Sequence, residues 1–185
     1  PPALPSIRED LDASLGQAGW LLSTVNLMTA LTGMAIALSA DRLGHRRMVV
    51  FGTALCCLAS LAGAFATSVD QLLVGRVFEG LGFIAVTAAA PALLLRIAQP
   101  REQRVVMALW TTYMPAGAGT MMLIAALVLP GTSWRVVWLV AAAAAALMLM
   151  ALLLRAVPAR ELNPVPTRRH PVLAEMKVIA ASGGP

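Results

Sequence analysis

Two groups of charged residues interrupt an otherwise apolar chain, and the spacing of each could do chemistry. Arg76 and Glu79 stand three apart in the run 71–95, which holds no other charge. On a helix that spacing puts a guanidinium and a carboxylate on one face, where they partly neutralise each other. A charge near the centre of a bilayer costs about 2.5–3.5 kcal/mol on insertion scales, so such residues are seldom idle. Two roles fit: coupling a proton or a substrate to movement, or fixing helix packing as a buried ion pair. The same face continues through Gly80, Phe83, Thr87 and Ala90, a mixed polar and small surface. Gly75, Gly80 and Gly82 allow a neighbouring backbone to come close.

The second group is Asp41-Arg42-Leu43-Gly44-His45-Arg46-Arg47, set between two long apolar runs. Asp41 ends a helix whose unpaired carbonyls already carry partial negative charge, so an anion there needs compensating cations. Arg42, Arg46 and Arg47 are placed to supply them. Such a cluster can hold one packing arrangement of two bodies and release it in another. It can equally be plain topogenic charge at a turn. Other groups within the apolar runs that could line a cavity are Asn26, Trp110 and Tyr113, each of which also suits an interhelical hydrogen bond or an interface anchor. Pro115, followed by Gly117 and Gly119, removes a backbone hydrogen bond and bends its helix.

The elements that must position these residues are long and apolar. Segments 13–40 and 48–69 contain no charge, nor do 105–134 and 136–154. A span needs about 20 residues to cross about 30 Å of hydrocarbon at 1.5 Å per residue. This predicts five transmembrane helices at roughly 17–39, 48–67, 71–95, 105–129 and 136–156. The expected fold class is all-α, a polytopic helical bundle over residues 1–157. The chain is 59% hydrophobic with only 12% charged residues, against about 25% charged in soluble domains. Its mean hydropathy is +0.79. None of the segments shows the polar stripe of a soluble bundle helix. The run Ala141 to Ala146 suits close helix packing by small side chains.

Charge distribution predicts orientation. Of the 14 Lys and Arg, eleven fall in 41–47, 96–104 and beyond 154, whereas only Arg8 and Arg135 fall in the alternate connections. The positive-inside rule places the first set in the cytoplasm and residues 1–14 outside. The Pro-rich segment 158–185 reads as a cytoplasmic linker. The opening Pro1-Pro2-Ala3-Leu4-Pro5 could be the outer end of a preceding helix, and a missing earlier crossing is expected. No soluble basic face exists to bind nucleic acid.

These residues resemble the major facilitator superfamily. Ala37 to Arg46 is similar to its loop between helices two and three, G-x-x-x-D-R-x-G-R-R/K, with Ala37 for the first Gly and His45 for a basic residue. Arg76-Val77-Phe78-Glu79-Gly80-Leu81-Gly82 resembles the helix-four pattern R-x-x-Q/E-G-x-G, and Trp134-Arg135-Val136-Val137-Trp138 the opening of helix six. Ala108 to Pro115 is similar to the cyanate/nitroimidazole permease-like branch. The helix-five antiporter pattern G-P-x-x-G-G is only partly kept, since Met114 and Ala118 stand where glycines belong. The resemblance implies helices two to six of a twelve-helix secondary transporter, with most of helix one and a C-terminal half outside this sequence. It implies a small-molecule substrate, protons as a candidate coupling ion, a latch at Asp41, Arg42, Gly44, Arg46 and Arg47, and alternating access in the cell membrane.

Other chemistry finds little support. Cys56 and Cys57 are adjacent, so on a helix they point about 100° apart and suit packing better than a disulfide. His45 and His170 have no ligand-like spacing, so neither a metal nor another cofactor is expected. Intramembrane catalysis would need more groups at depth than Arg76 and Glu79, so an enzyme is not expected. A channel or pore subunit, or another polytopic protein without transport activity, would share the spans but needs no latch.

Overall fold

The computed structural model describes residues 3–154, all helices and connections with no strand among them. The linker expected at 158–185 lies outside the described residues. A short helix, α1 (Leu4–Asp10), precedes α2 (Leu15–Leu43), α3 (His45–Ala64) and α4 (Val69–Ile97). Then come α5 (Gln103–Thr111), α6 (Tyr113–Val128), a 3-10 turn at Leu129–Gly131, and α7 (Arg135–Leu154). Among the described residues five stretches are long and apolar enough to cross a membrane: α2, α3, α4, Tyr113–Gly131 and α7.

Local sequence explains where the helices start. Ser14 and Gln17 form a capping box on α2, with Gln17 N–H donating to Ser14 Oγ and Ser14 N–H donating to Gln17 Oε1. Each satisfies a backbone donor that the helix cannot. Ser68 accepts from Gln71 N–H in the same way at the start of α4.

Two boundaries differ from expectation. The turn of about seven residues at 41–47 shrinks to Gly44 alone, because Asp41 to Leu43 prolong α2 and His45 to Arg47 open α3. Gly44 has φ 93° and ψ 134°, a conformation essentially confined to glycine. The expected continuous span 105–129 breaks at Thr112. Pro115 has no N–H for the Thr111 carbonyl. Beside that gap Thr112 N–H bonds back to Leu109 O, a tighter 3-10 pattern. The Thr111 and Thr112 hydroxyls also donate to Ala108 O and Leu109 O.

Helix α4 packs along both α2 and α3, and α3 also packs along α7. Helix α5 touches α4, while α6 makes limited contact with α7 and is exposed over Tyr113 to Thr120. Two apolar clusters divide the core. One gathers Ile7, Leu21, Leu72, Trp134 and Trp138 at the end where α1 sits. The other gathers Ala40, Met48, Val49, Ala85, Ala89 and Leu93 at the Gly44 end. Large apolar side chains such as Met34, Phe51, Leu58, Leu127 and Leu154 remain exposed, the surface a bilayer covers rather than one that water tolerates.

Candidate functional site

Arg76 and Glu79 meet as the spacing requires, because one helical turn of α4 brings them to the same face. Arg76 Nη1 lies 2.5 Å from Glu79 Oε2, with side chains only 19% and 14% exposed. The second carboxylate oxygen is also occupied: Ser60 Oγ, on α3, donates to Glu79 Oε1 at 2.9 Å. The guanidinium carbon of Arg76 sits 4.8 Å from the centroid of the Trp138 ring on α7, a cation–π contact. Three helices therefore hold one ion pair. Among the described residues Arg76 Nε is buried and has no hydrogen-bond partner. A cavity of about 200 Å3 opens beside the pair, its lining including Ala3, Ser60, Arg76, Glu79, Met121 and Trp138.

Gly80 faces α2, where a Cβ would lie 2.8 Å from Met28 Cβ and 3.2 Å from Val25 Cα. Its lack of a side chain is what lets α2 and α4 approach. Gly82 serves the α3 contact in the same way, a Cβ there meeting Gly52 O at 2.7 Å, whereas Gly75 has only ordinary contact with Ala59 O at 3.7 Å. The other expected cavity residues do not border this space. Asn26, Tyr113 and Pro115 are exposed, and Tyr113 stacks on Trp110 with centroids 4.6 Å apart.

At the Gly44 end the charges take different partners from those expected. Asp41 Oδ1 faces His45 Nε2 at 3.5 Å, an ion pair when the imidazole is protonated. Arg46 turns away toward α7 and donates from Nη2 to Leu152 O at 2.9 Å. That carbonyl belongs to the last described turn of α7. Arg42 is exposed, and Arg47 borders an apolar groove of about 530 Å3 with Ser39, Leu43, Met48 and Phe51. The one-residue turn is the cause: His45 to Arg47 point according to the helical phase of α3, which brings His45 one turn from Asp41 and Arg46 to α7.

The opposite end carries a clamp that sequence reasoning missed. Asp10 Oδ2 accepts from Trp134 Nε1 at 2.9 Å and from Arg135 Nη1 at 2.8 Å. Arg135 Nη2 donates to Ala66 O at 3.1 Å, and its guanidinium lies 4.6 Å from the Trp134 ring centroid. Three connections between helices are thereby tied together. The Trp134 and Arg135 hydrogen bonds hold the Asp10 carboxyl below its ordinary range. Cys56 and Cys57 are free thiols, directed at Glu79 O on α4 and Ala142 O on α7 respectively, as their helical phase predicts.

The missed residues share one property. Ser60 and Trp138 gain their role only through long-range packing, and Ser60 carries no charge that would single it out in an apolar run. Trp138 does stand within the quoted helix-six motif, but nothing there points to Arg76.

The chain matches the Major Facilitator Superfamily over residues 1–183. It is 31% identical over 139 residues to the drug efflux pump JefA of Mycobacterium tuberculosis, covering 75% of this chain and 27% of that protein. It is 31% identical over 167 residues to the multidrug efflux pump LfrA of Mycolicibacterium smegmatis, covering 89% of this chain and 33% of that one. The methyl viologen resistance protein SmvA of Salmonella typhimurium is 28% identical over 141 residues, 75% of this chain and 28% of its own length. The chain thus spans between a quarter and a third of the length of the curated relatives it matches.

Proposed function

The chain belongs to the Major Facilitator Superfamily, and from that premise we propose that it forms part of a secondary transporter moving a small organic solute across the cell membrane. Transport proceeds by alternating access, a C-terminal half completing the substrate path and the two halves rocking about it. The segment 1–157 is the bundle of the N-terminal half, and 158–185 is the linker toward its partner. Protons are the coupling ion, and the Arg76–Glu79 pair carries that coupling. The observation behind this reading is the pair itself, an ionisable couple enclosed by α3, α4 and α7 beside a cavity. The relatives, three efflux or resistance proteins, favour export over the permease-like branch resembled by Ala108 to Pro115.

The turn at Gly44 is the latch. The skew of basic residues supports a cytoplasmic position for it. Asp41 and its neighbours hold one arrangement of the two halves there and release it in the other. Labelling with an impermeant thiol reagent in intact cells checks the orientation: a Cys at Ser14 should react and one at Gly44 should not.

The decisive experiment uses the full-length protein in proteoliposomes under an imposed pH gradient, with methyl viologen as first probe and a panel of lipophilic cations behind it. Gradient-driven movement should occur and should be lost with Glu79→Gln, while counterflow against unlabelled probe persists. Gradient-driven movement that is unchanged in Glu79→Gln removes the pair from coupling. Flux without counterflow indicates a pore in place of a carrier.

A further inference from the structure

We propose that Ser60 and Trp138 are positioning residues for the Arg76–Glu79 pair, together keeping it closed to protons until α3 and α7 shift against α4. The proposal rests on the reading of that pair as the coupling site. Its basis is the way three helices share the pair. Both oxygens of Glu79 are occupied, Oε1 by the Ser60 hydroxyl from α3 and Oε2 by Arg76 from its own helix. Each donor covers one carboxylate oxygen on the side of the adjacent cavity, and withdrawing it opens that oxygen to an arriving proton.

Trp138 controls the second donor. Its indole covers the guanidinium face at 4.8 Å, and it is itself fixed by Gly63. A Cβ at Gly63 would lie 2.5 Å from both Trp138 Cδ1 and Nε1, so the indole occupies a slot that only glycine leaves open. Ser60 and Gly63 are three residues apart on α3, so the helix that offers the hydroxyl also seats the ring. Movement of α7 relative to α3 therefore disturbs Arg76, and movement of α3 relative to α4 withdraws the hydroxyl.

Among the described residues, the titratable and charged groups facing Glu79 are few. Arg76 lies on its own helix, and Cys56 on α3 has its Sγ 3.7 Å from the Glu79 carbonyl oxygen. Helix α7 presents Trp138 and α6 presents Met121, neither of which titrates, and the segment before α1 presents Ala3. The proton balance is simple. A proton arriving through the adjacent cavity binds Oε1, the carboxylate becomes a neutral carboxyl, and the Ser60 hydroxyl swings to another acceptor. Release reverses these changes.

The test needs no transported solute. The full-length protein is reconstituted in vesicles containing pyranine, and collapse of an imposed pH gradient is followed. Ser60→Ala and Trp138→Leu should each speed collapse by roughly 3- to 10-fold, the effect expected from losing one hydrogen bond or ring contact. Ser60→Thr and Trp138→Phe, which keep the hydroxyl and a ring face, should behave as wild type. Adding Glu79→Gln to Ser60→Ala should abolish the leak. Collapse at the wild-type rate in both Ser60→Ala and Trp138→Leu overturns the proposal, as does equal leak with Glu79→Gln present. A thermal-unfolding double-mutant cycle covers variants that fold poorly: most of the loss caused by Ser60→Ala should vanish in the Glu79→Leu background, where no acceptor remains, and full additivity counts against the contact. If that cycle shows coupling while the wild-type protein moves solute independently of Glu79, the coupling reading fails. If transport requires Glu79 but neither leak nor cycle responds, only the positioning proposal fails.

Discussion

Inside the bundle Glu79 has a donor on each carboxylate oxygen, and Arg76 is covered by an indole face. At the Gly44 turn, by contrast, Asp41 is 56% exposed and faces the His45 imidazole at 3.5 Å. The two regions hold similar residue types and treat them in opposite ways. In a low-dielectric interior an unpaired charge is costly, so packing of three helices is arranged around mutual satisfaction. At a wet helix end each ion pair contributes little, about 0–1 kcal/mol, so partners can be exchanged cheaply. The interior pair suits a group that must be released deliberately. The turn suits the exchangeable contact that the proposed latch requires.

The largest expected effect would break this contrast at its interior side. Arg76→Ala leaves a buried carboxylate with a single donor, which should cost about 3–5 kcal/mol of stability and depress expression. Arg76→Ala/Glu79→Gln should cost less than the sum of the single changes, because both charges leave together. Thermal unfolding of the purified full-length protein reads this directly, and additive losses would mean the two charges do not support each other. Next comes the turn. Asp41→Asn should leave folding within about 0.5 kcal/mol, as for an exposed substitution. It should shift the transport equilibrium by about 1–3 kcal/mol, slowing transport by a factor of about 5–150. Wild-type kinetics would leave only a topogenic role there.

A smaller effect belongs to the backbone of the same turn. Gly44→Ala places a Cβ on a residue at φ 93° and should cost about 1–2 kcal/mol, although its surroundings are open. An unchanged melting temperature would show that the connection relaxes freely. The smallest effect lies at the Asp10 clamp. Its carboxyl has a lowered pKa in the folded state, so the unfolded chain takes up its proton first as pH falls. The clamp's contribution is fully present above the ordinary aspartate range near 3.9 and is lost only as pH falls through the folded value. Unfolding measured from pH 7 down to pH 3 should therefore show a shallower acid-dependent loss for Asp10→Asn than for the wild type. Superimposable profiles would show that the clamp does not hold the folded state.

The five spans were legible because hydrocarbon thickness imposes a minimum apolar length, and each run meets it without help from tertiary structure. The Arg76–Glu79 contact was legible for a similar reason, since helix geometry alone joins residues three apart. Details governed by one residue were not. The charges of 41–47 suggested a loop, but α2 runs on through Leu43 and α3 opens at His45, which leaves only Gly44 outside a helix. Pro115 announced a bend, yet its position did not say that the break would fall at Thr112. The Asp10–Arg135 pair joins residues 125 apart, and the Arg46–Leu152 bond residues 106 apart, separations at which no local pattern survives.

The clamp and the turn also stand in a mechanical relation. At the Asp10 end three connections are pinned by one arginine and one carboxylate, whereas at the Gly44 end α2 and α3 meet through a single residue. Helix α2 has 29 residues, a rod of about 43 Å at 1.5 Å per residue. Pivoted about the pinned end, such a rod converts a tilt of about 10° into a sweep of about 7 Å at the Gly44 end. The bundle is thus tied across three connections on the side of Asp10 and joined through one residue on the side of the charged turn.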